Sequence, residues 1–329
     1  VYPKGKFAPQ ALVKIGTIHT ADKKMDEAQK ALGRLQSDFP DSDEAKNSVP
    51  RLAKTLIDMG LKAEGVEQYK QMLSAGGKYT AGQYLMAANA LLEAKTWDVA
   101  SEAYAKVISM TNGVSYVAPS LLGQAKALYG QQNYAEARQK LDDFIEKYAK
   151  SALVVDAYEM LVEVASDQGR TEKDATMRTK CFNAAIGALK KVRQYWAKRP
   201  AWEQNQLDLL SGDVLIDRMK AEESMDLKEE ALETCGRAAS TFQVFIQAHG
   251  VSESLPLDKM EAGDVANLER AYGTMIPLMA KKGGDLAESV IKYGTQYLEL
   301  FPNGKSKTAV ENAMNQARAD MPSGTQSKE

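Results

Sequence analysis

Covalent or metal chemistry needs reactive groups brought together, and this sequence offers few. Its 329 residues hold two histidines and two cysteines. His19 falls where the spacing sets a residue between two helices. His249 falls at a helix end, where the dipole and a capping role account for it. Cys181 and Cys235 sit in predicted helices with no Cys-x-x-Cys and no neighbouring histidine, the pattern of small buried residues rather than of zinc or redox work. His-Glu-x-x-His, Gly-x-Ser-x-Gly and Gly-x-Gly-x-x-Gly are absent from the sequence. Asn303-Gly304-Lys305-Ser306 has the ending of a phosphate-binding loop, but the earlier glycine that loop requires falls at Glu299, inside a predicted helix, so the segment reads as a turn. Lys190, Lys191, Arg193, Lys198 and Arg199 read as a solvated face plus a helix end before Pro200. The expectation is a non-enzymatic chain with no catalytic residues, no metal and no cofactor.

The informative spacing is that of small and large apolar residues. From Ala118 to Ser151, Leu121, Ala125 and Leu128 form a stripe on one helix ending at Gly130. Ala137, Leu141 and Phe144 form one on a second helix, ending near Tyr148. The small Ala125 and Ala137 let the two backbones approach where they cross. Upstream the pattern recurs three times. Leu12, Ile15, Gly16 and His19 face Ala28, Leu32 and Leu35; Val49, Leu52, Ala53 and Leu56 face Gly65, Tyr69 and Met72; Tyr84, Ala87, Ala88 and Leu91 face Ala100, Tyr104 and Val107. Ala28, Gly65, Ala100 and Ala137 are 37, 35 and 37 residues apart, a period that marks a repeat architecture. Asp41 or Ser42 is the expected N-cap of the second copy, with Pro50 in its first turn, and Thr80 that of the third, which stops at Thr111-Asn112-Gly113.

Beyond Ser151 the period loosens into longer arms. Leu153–Ser166 reads as a helix, and 173–199 as a long one carrying Met177, Cys181, Ala185, Leu189, Val192 and Trp196. Helices over 202–220 and 227–249 follow, with the acidic run Glu222-Glu223 through Glu229-Glu230 expected to be an exposed turn and helix start. After a loop at 251–256 come helices over 263–281 and 286–300, then a capping helix over 308–320 with Val310, Met314 and Ala317 on one side. The organisation is thus an N-terminal extension (1–8), four repeats (9–152), divergent hairpins with a cap (153–320) and a disordered tail (321–329). Few prolines, abundant Ala, Leu, Lys, Glu and Gln, and the lack of alternating β-branched runs give an all-α chain. A net charge of −2 argues against an extended nucleic-acid surface. No stretch approaches the roughly 20 apolar residues of a membrane span.

This pattern of small and large residues resembles the tetratricopeptide repeat (TPR). The resemblance implies a right-handed α-solenoid of stacked helix-turn-helix units whose first helices line a concave, partner-binding face. Carried onto this chain, the ninth repeat position gives Thr17, Lys54, Asn89 and Lys126, and the twelfth gives Thr20, Ile57, Leu92 and Tyr129. Together they form a polar, partly basic row beside a partly apolar one, suited to an extended peptide. Val13, Pro50, Leu85 and Leu122 occupy the fifth position, where a carboxylate clamp carries further polar groups. Boundary phrases such as Phe39-Pro40-Asp41-Ser42 and Phe144-Ile145-Glu146-Lys147-Tyr148 look like those of bacterial cell-envelope TPR proteins of the outer-membrane-assembly lipoprotein and Tol-Pal coordinating types. The implied role is an adaptor or scaffold for protein or peptide partners in a bacterial envelope or periplasmic complex, with no nucleic-acid partner. A cytoplasmic location is the alternative, and a lipid anchor ahead of Val1 is compatible with the non-Met start. The competing functions are a hydrolase with a site in 153–260 and a self-associating structural component.

Overall fold

The computed structural model describes residues 5–74, 79–110, 114–199, 201–251 and 256–321. The expected stop at Thr111-Asn112-Gly113, Pro200, most of the loop at 251–256 and the tail after Met321 lie outside them. Among the described residues there is no strand. Fifteen α-helices run in order: α1 (Ala8–Ala21), α2 (Met25–Asp38), α3 (Asp43–Asp58), α4 (Lys62–Ser74), α5 (Ala81–Glu93), α6 (Trp97–Ser109), α7 (Val114–Gly130), α8 (Tyr134–Lys147), α9 (Val154–Thr171), α10 (Ala175–Tyr195), α11 (Ala201–Ser224), α12 (Lys228–His249), α13 (Ala262–Lys282), α14 (Ala287–Leu300) and α15 (Lys307–Asp320). The chain forms two compact units, Val1–Met160 and Leu161–Glu329.

In the first unit α1–α8 make four hairpins. At each crossing a small residue is buried on both arms: Gly16, Ala53, Ala88 and Ala125 on the first helices, Ala28, Gly65, Ala100 and Ala137 on the second. The close approach is sharpest in the second hairpin. A Cβ at position 65 would stand 2.6 Å from the Ala53 carbonyl oxygen and 2.7 Å from Ile57 Cγ1, so only glycine fits. Tyr69, Tyr84 and Tyr104 are fully buried; Tyr69 Oη donates to the Pro50 carbonyl at 2.9 Å.

The four hairpin turns share a device that composition does not announce. Lys23, Gly60, Lys95 and Gln132 all have positive φ, between 55° and 83°. In each turn the following N–H reaches back to the fifth residue before it, as Lys24 to His19, Leu61 to Leu56, Thr96 to Leu91 and Asn133 to Leu128. These are Schellman closures, and only one of the four uses glycine.

Ser42, one of the two expected caps, caps α3, its hydroxyl accepting from Ala45 N at 3.1 Å; the helix runs from Asp43, however, so Pro50 lies in its interior rather than its first turn. Proline there leaves the Lys46 carbonyl without its intrahelical donor. Gln83 Nε2 of α5 supplies one at 2.8 Å. Likewise α7 begins at Val114 rather than Ala118 and carries Pro119 inside. Thr80 caps α5 as expected, in a reciprocal capping box with Gln83.

The second unit is organised around α11. Its Asp208 pairs with Arg193 of α10 at 2.5 Å, its Asp217 with Arg170 of α9 at 2.5 Å, and its Asp213 and Glu223 with Arg270 and Lys281 of α13. The Arg170 guanidinium loses solvation, but Asp217 and Asp167 hold its proton more firmly than usual. The acidic run forms the exposed turn and helix start expected at Glu223, Asp226, Glu229 and Glu230, but Glu222 departs from it: it is only 2% exposed and is bound by Arg218 Nε at 2.7 Å. Met177 also departs from the expected stripe and is exposed, whereas Cys181, Ala185, Leu189 and Val192 are buried. Both cysteines are free thiols in the interior, and burial raises the Cys235 pKa. Val310, Met314 and Ala317 of α15 are buried against the final hairpin.

Candidate functional site

The residues expected to line a partner-binding face sit one position beyond the buried small residues of the first helices. Thr17, Lys54, Asn89 and Lys126 are all exposed, although Gly16, Ala53, Ala88 and Ala125 beside them are buried. The helical repeat therefore gives one outward group per hairpin at a fixed register. Their states differ. Thr17 Oγ1 donates to its own helix at Val13 O, 2.9 Å away. Lys54 Nζ lies 3.3 Å from Asp58 and 3.7 Å from Glu93 of α5, tying α3 to its neighbour. Asn89 Oδ1 accepts from Tyr104 Oη at 2.6 Å, which fixes the amide and presents its NH2. Burial, more than the nearby Glu93, pushes the Tyr104 phenol pKa upward, so it remains a donor. Lys126 is exposed and makes no ion pair among the described residues.

At the twelfth position Ile57, Leu92 and Tyr129 are half-buried. Tyr129 packs on Tyr134 with ring centroids 5.8 Å apart. Thr20 does not join them: it is fully buried and its hydroxyl donates to Gly16 O at 2.7 Å. A short hydroxyl side chain can satisfy itself on the preceding turn, so it turns inward. The fifth position gives no polar clamp, since Pro50 and Leu122 are buried and Val13 and Leu85 half-buried.

The second unit holds a larger concavity, about 720 Å³, walled by α10 and α12 and floored by α11. Leu189, Leu215 and Val244 supply apolar surface; Lys190, Arg237 and Lys282 bring positive charge, Glu233 and Asp285 negative. The basic cluster read as a solvated face thus divides. Lys190 and Arg193 line the groove, while Lys191 reaches Gln194 and the Arg199 guanidinium stacks 4.3 Å over Trp196. Neither His nor Cys is among the lining residues. Ser211, Ser240 and Thr241 add hydroxyls to the lining of the groove. Sequence reasoning missed it because its walls come from three helices whose polar residues look individually solvated.

Elsewhere the reactive groups are spent structurally. His249 stacks on Phe245 at 4.7 Å, and burial lowers its pKa against the pull of Asp264 and Asp208. In the turn at 303–306, Lys305 N donates to Glu269 Oε1 at 2.6 Å and Ser306 N to Tyr297 Oη at 3.0 Å, so those N–H groups face a carboxylate and a phenol. Among the described residues no cluster of three or more His, Cys, Asp or Glu is placed to hold a metal ion. No described helix is long and apolar enough to cross a membrane.

With these features in place, comparison with known proteins gives the class. Residues 10–42 and 120–151 match the tetratricopeptide repeat family model, and the hairpins between them follow the same register. The chain is an all-α repeat protein, two segments of which match the tetratricopeptide repeat model. Among solved structures, a tetratricopeptide repeat protein from Parabacteroides merdae is 14% identical, with 94% of this chain and 99% of that one covered and a TM-score of 0.39. The C-terminal part of a TPR repeat-containing protein from Cytophaga hutchinsonii is 12% identical (84% and 97% covered, TM-score 0.32), and the apo quorum sensor NprR from B. thuringiensis 10% (94% and 98%, TM-score 0.30). At these identities and scores none of them says what this chain binds. No curated protein matches it in sequence.

Proposed function

We propose that the protein is a non-enzymatic adaptor that holds an extended segment of a protein partner along the first helices of its repeats. The observation that carries this reading is the exposed row Thr17, Lys54, Asn89 and Lys126, one residue per hairpin at a constant register beside half-buried Ile57, Leu92 and Tyr129. Regularly spaced donors suit the regularly spaced carbonyls of an extended chain, and the cations suit its carboxylates. The boundary phrases at 39–42 and 144–148 support a place in a bacterial cell-envelope complex. The groove over α11 offers a further surface for partner contact in preference to the hydrolase site considered for 153–260, its lining joining apolar side chains to charges of both signs without a histidine or cysteine.

The test is quantitative affinity capture from native lysate with the wild type and with the Lys54→Ala/Asn89→Ala/Lys126→Ala variant as baits. Helicity should be unchanged, but Asn89→Ala removes the acceptor of the buried Tyr104 hydroxyl and should lower melting, so the Lys54→Ala/Lys126→Ala variant, whose side chains are exposed, serves as a second variant bait with the fold left intact. Charge-assisted contacts are worth about 1.5–3 kcal/mol each, so loss of even one reduces partner recovery by about tenfold or more. Equal recovery on all three baits would remove the first-helix row from the binding surface.

A further inference from the structure

The groove over α11 gathers five charged side chains that the fold does not use. Lys190 comes from α10, Glu233 and Arg237 from α12, and Lys282 and Asp285 from the end of α13 and the turn that follows it. Elsewhere in this unit, charge at a helix joint is paired: Asp208 with Arg193, Asp217 with Arg170, Asp213 with Arg270. None of the five makes an ion pair among the described residues, and all but Lys282 are exposed. Lys282 reaches the groove across α12 at Gly236, where a Cβ would stand 3.5 Å from its Cε. Three cations and two carboxylates thus border a concavity that is otherwise apolar, with Ile186, Leu189, Leu215 and Leu286 in its lining and Val244 still 51% exposed.

This mixture selects the occupant. A single-chain anionic amphiphile would satisfy Lys190, Arg237 and Lys282 but would set its charge against Glu233 and Asp285. A polypeptide can bring an apolar stripe and both signs together. The hydroxyls of the lining select its conformation. An extended segment needs donors and acceptors for its backbone, and Ser211 Oγ already donates to Leu207 O at 2.5 Å and Thr241 Oγ1 to Arg237 O at 2.9 Å, each on its own helix. A helix satisfies its own backbone and asks only for side-chain contacts. The length also suits one: Glu233 and Val244 are 11 positions apart on α12, about 16 Å or three helical turns.

We propose that this groove binds an amphipathic α-helix of a protein partner. Its apolar stripe lies on Leu189, Leu215 and Val244, and its flanks carry carboxylates for Lys190, Arg237 and Lys282 and a basic residue for Glu233 and Asp285. The choice of a protein as occupant rests on the adaptor reading. The residues that make the contact all belong to the second unit, whereas the first-helix row belongs to the first.

An environment-sensitive dye on the full chain at Ser240→Cys reads occupancy of the groove, since Ser240 is exposed in the lining while Cys181 and Cys235 are buried. Anisotropy of dye-labelled peptide on unlabelled protein is the second measurement. The probes are alanine-based helical peptides of about 18 residues that share one leucine stripe and are flanked by glutamate and lysine, by glutamate alone or by lysine alone. The mixed peptide is expected to saturate the signal and to bind at least about tenfold more tightly than either single-sign peptide. Lys190→Ala/Glu233→Ala should weaken it by about tenfold or more, and Val244→Glu should abolish binding, with melting checked in parallel. Lys54→Ala/Lys126→Ala should leave peptide binding unchanged, so failure of the first-helix row and failure of the groove are separate results. No saturable binding up to about millimolar peptide, equal affinity for the three peptides, or tighter binding of dodecanoate than of the mixed peptide overturns the proposal.

Discussion

Replacing Gln83 by methionine should cost this protein more than removing an ordinary helix-capping glutamine, and Pro50 is the reason. Gln83 does two jobs at once. Its Oε1 accepts from Thr80 N at 2.9 Å in the capping box of α5, and its Nε2 donates to Lys46 O at 2.8 Å and Asn47 Oδ1 at 2.9 Å in α3. Losing the cap contributes about 1 kcal/mol. Stranding the Lys46 carbonyl, which Pro50 has already deprived of its own donor, contributes about 1–3 kcal/mol more, so Gln83→Met should destabilise by about 2–4 kcal/mol. In a Pro50→Ala background the N–H regained at position 50 can bond Lys46 O, and the same glutamine change should then cost only about 1 kcal/mol. Urea unfolding followed by far-UV circular dichroism measures all four corners of this cycle. The slope must stay constant for the free energies to be compared, since repeat arrays can lose cooperativity. A coupling energy of about 1–3 kcal/mol is expected; values within about 0.5 kcal/mol of zero would show that the proline and the glutamine act independently and would refute the reasoning.

Three further outcomes follow from other parts of the molecule. Lys95→Gly should raise stability by about 1 kcal/mol, because the lysine holds φ at 55° in the Schellman turn and glycine relieves that strain; a lower melting temperature would contradict it. Arg218→Met should cost about 3 kcal/mol or more and Glu222→Gln distinctly less, because only the first leaves a buried carboxylate without its cation; equal losses in thermal melts would count against this ordering. Burial lowers the His249 pKa from its ordinary 6.5, so below that pH the unfolded imidazole takes a proton that the folded one refuses. Stability should fall as pH drops through 6.5 toward the folded value and be unaffected above it. Between about pH 7.5 and about pH 5.5 the wild type should therefore lose more stability than His249→Gln, and identical losses would exclude this histidine as a source.

The repeat half was legible because its constraint is steric and periodic. Where two helices cross closely only Gly or Ala fits, so Ala28, Gly65, Ala100 and Ala137 mark the hairpins in plain sequence, and all four are buried. The turns recur with the same spacings but were invisible, since Lys23, Lys95 and Gln132 adopt a left-handed conformation usually advertised by glycine. The outward row at Thr17, Lys54, Asn89 and Lys126 could be placed by register alone, because an exposed position follows from its buried neighbour. Thr20 could not: whether a small hydroxyl faces solvent or bonds its own helix depends on local packing.

In the second half the helices themselves were legible, α11 among them as 202–220, but the contacts that join them were not. A helix that buries one apolar stripe announces itself by period, but α11 meets α9, α10 and α13 through Asp217, Asp208, Asp213 and Glu223, each paired with a basic residue 15 to 58 positions away in sequence. In the sequence those charges look like a solvated surface. In the fold they are the joints between helices, and desolvated charge is tolerated only where its partner is in place. Such pairing specifies neighbours more narrowly than interchangeable apolar side chains do. These pairs set α10 and α13 against α11, and α10 is one wall of the groove that α11 floors. Charges that look solvated in the sequence thus help to hold that concavity open.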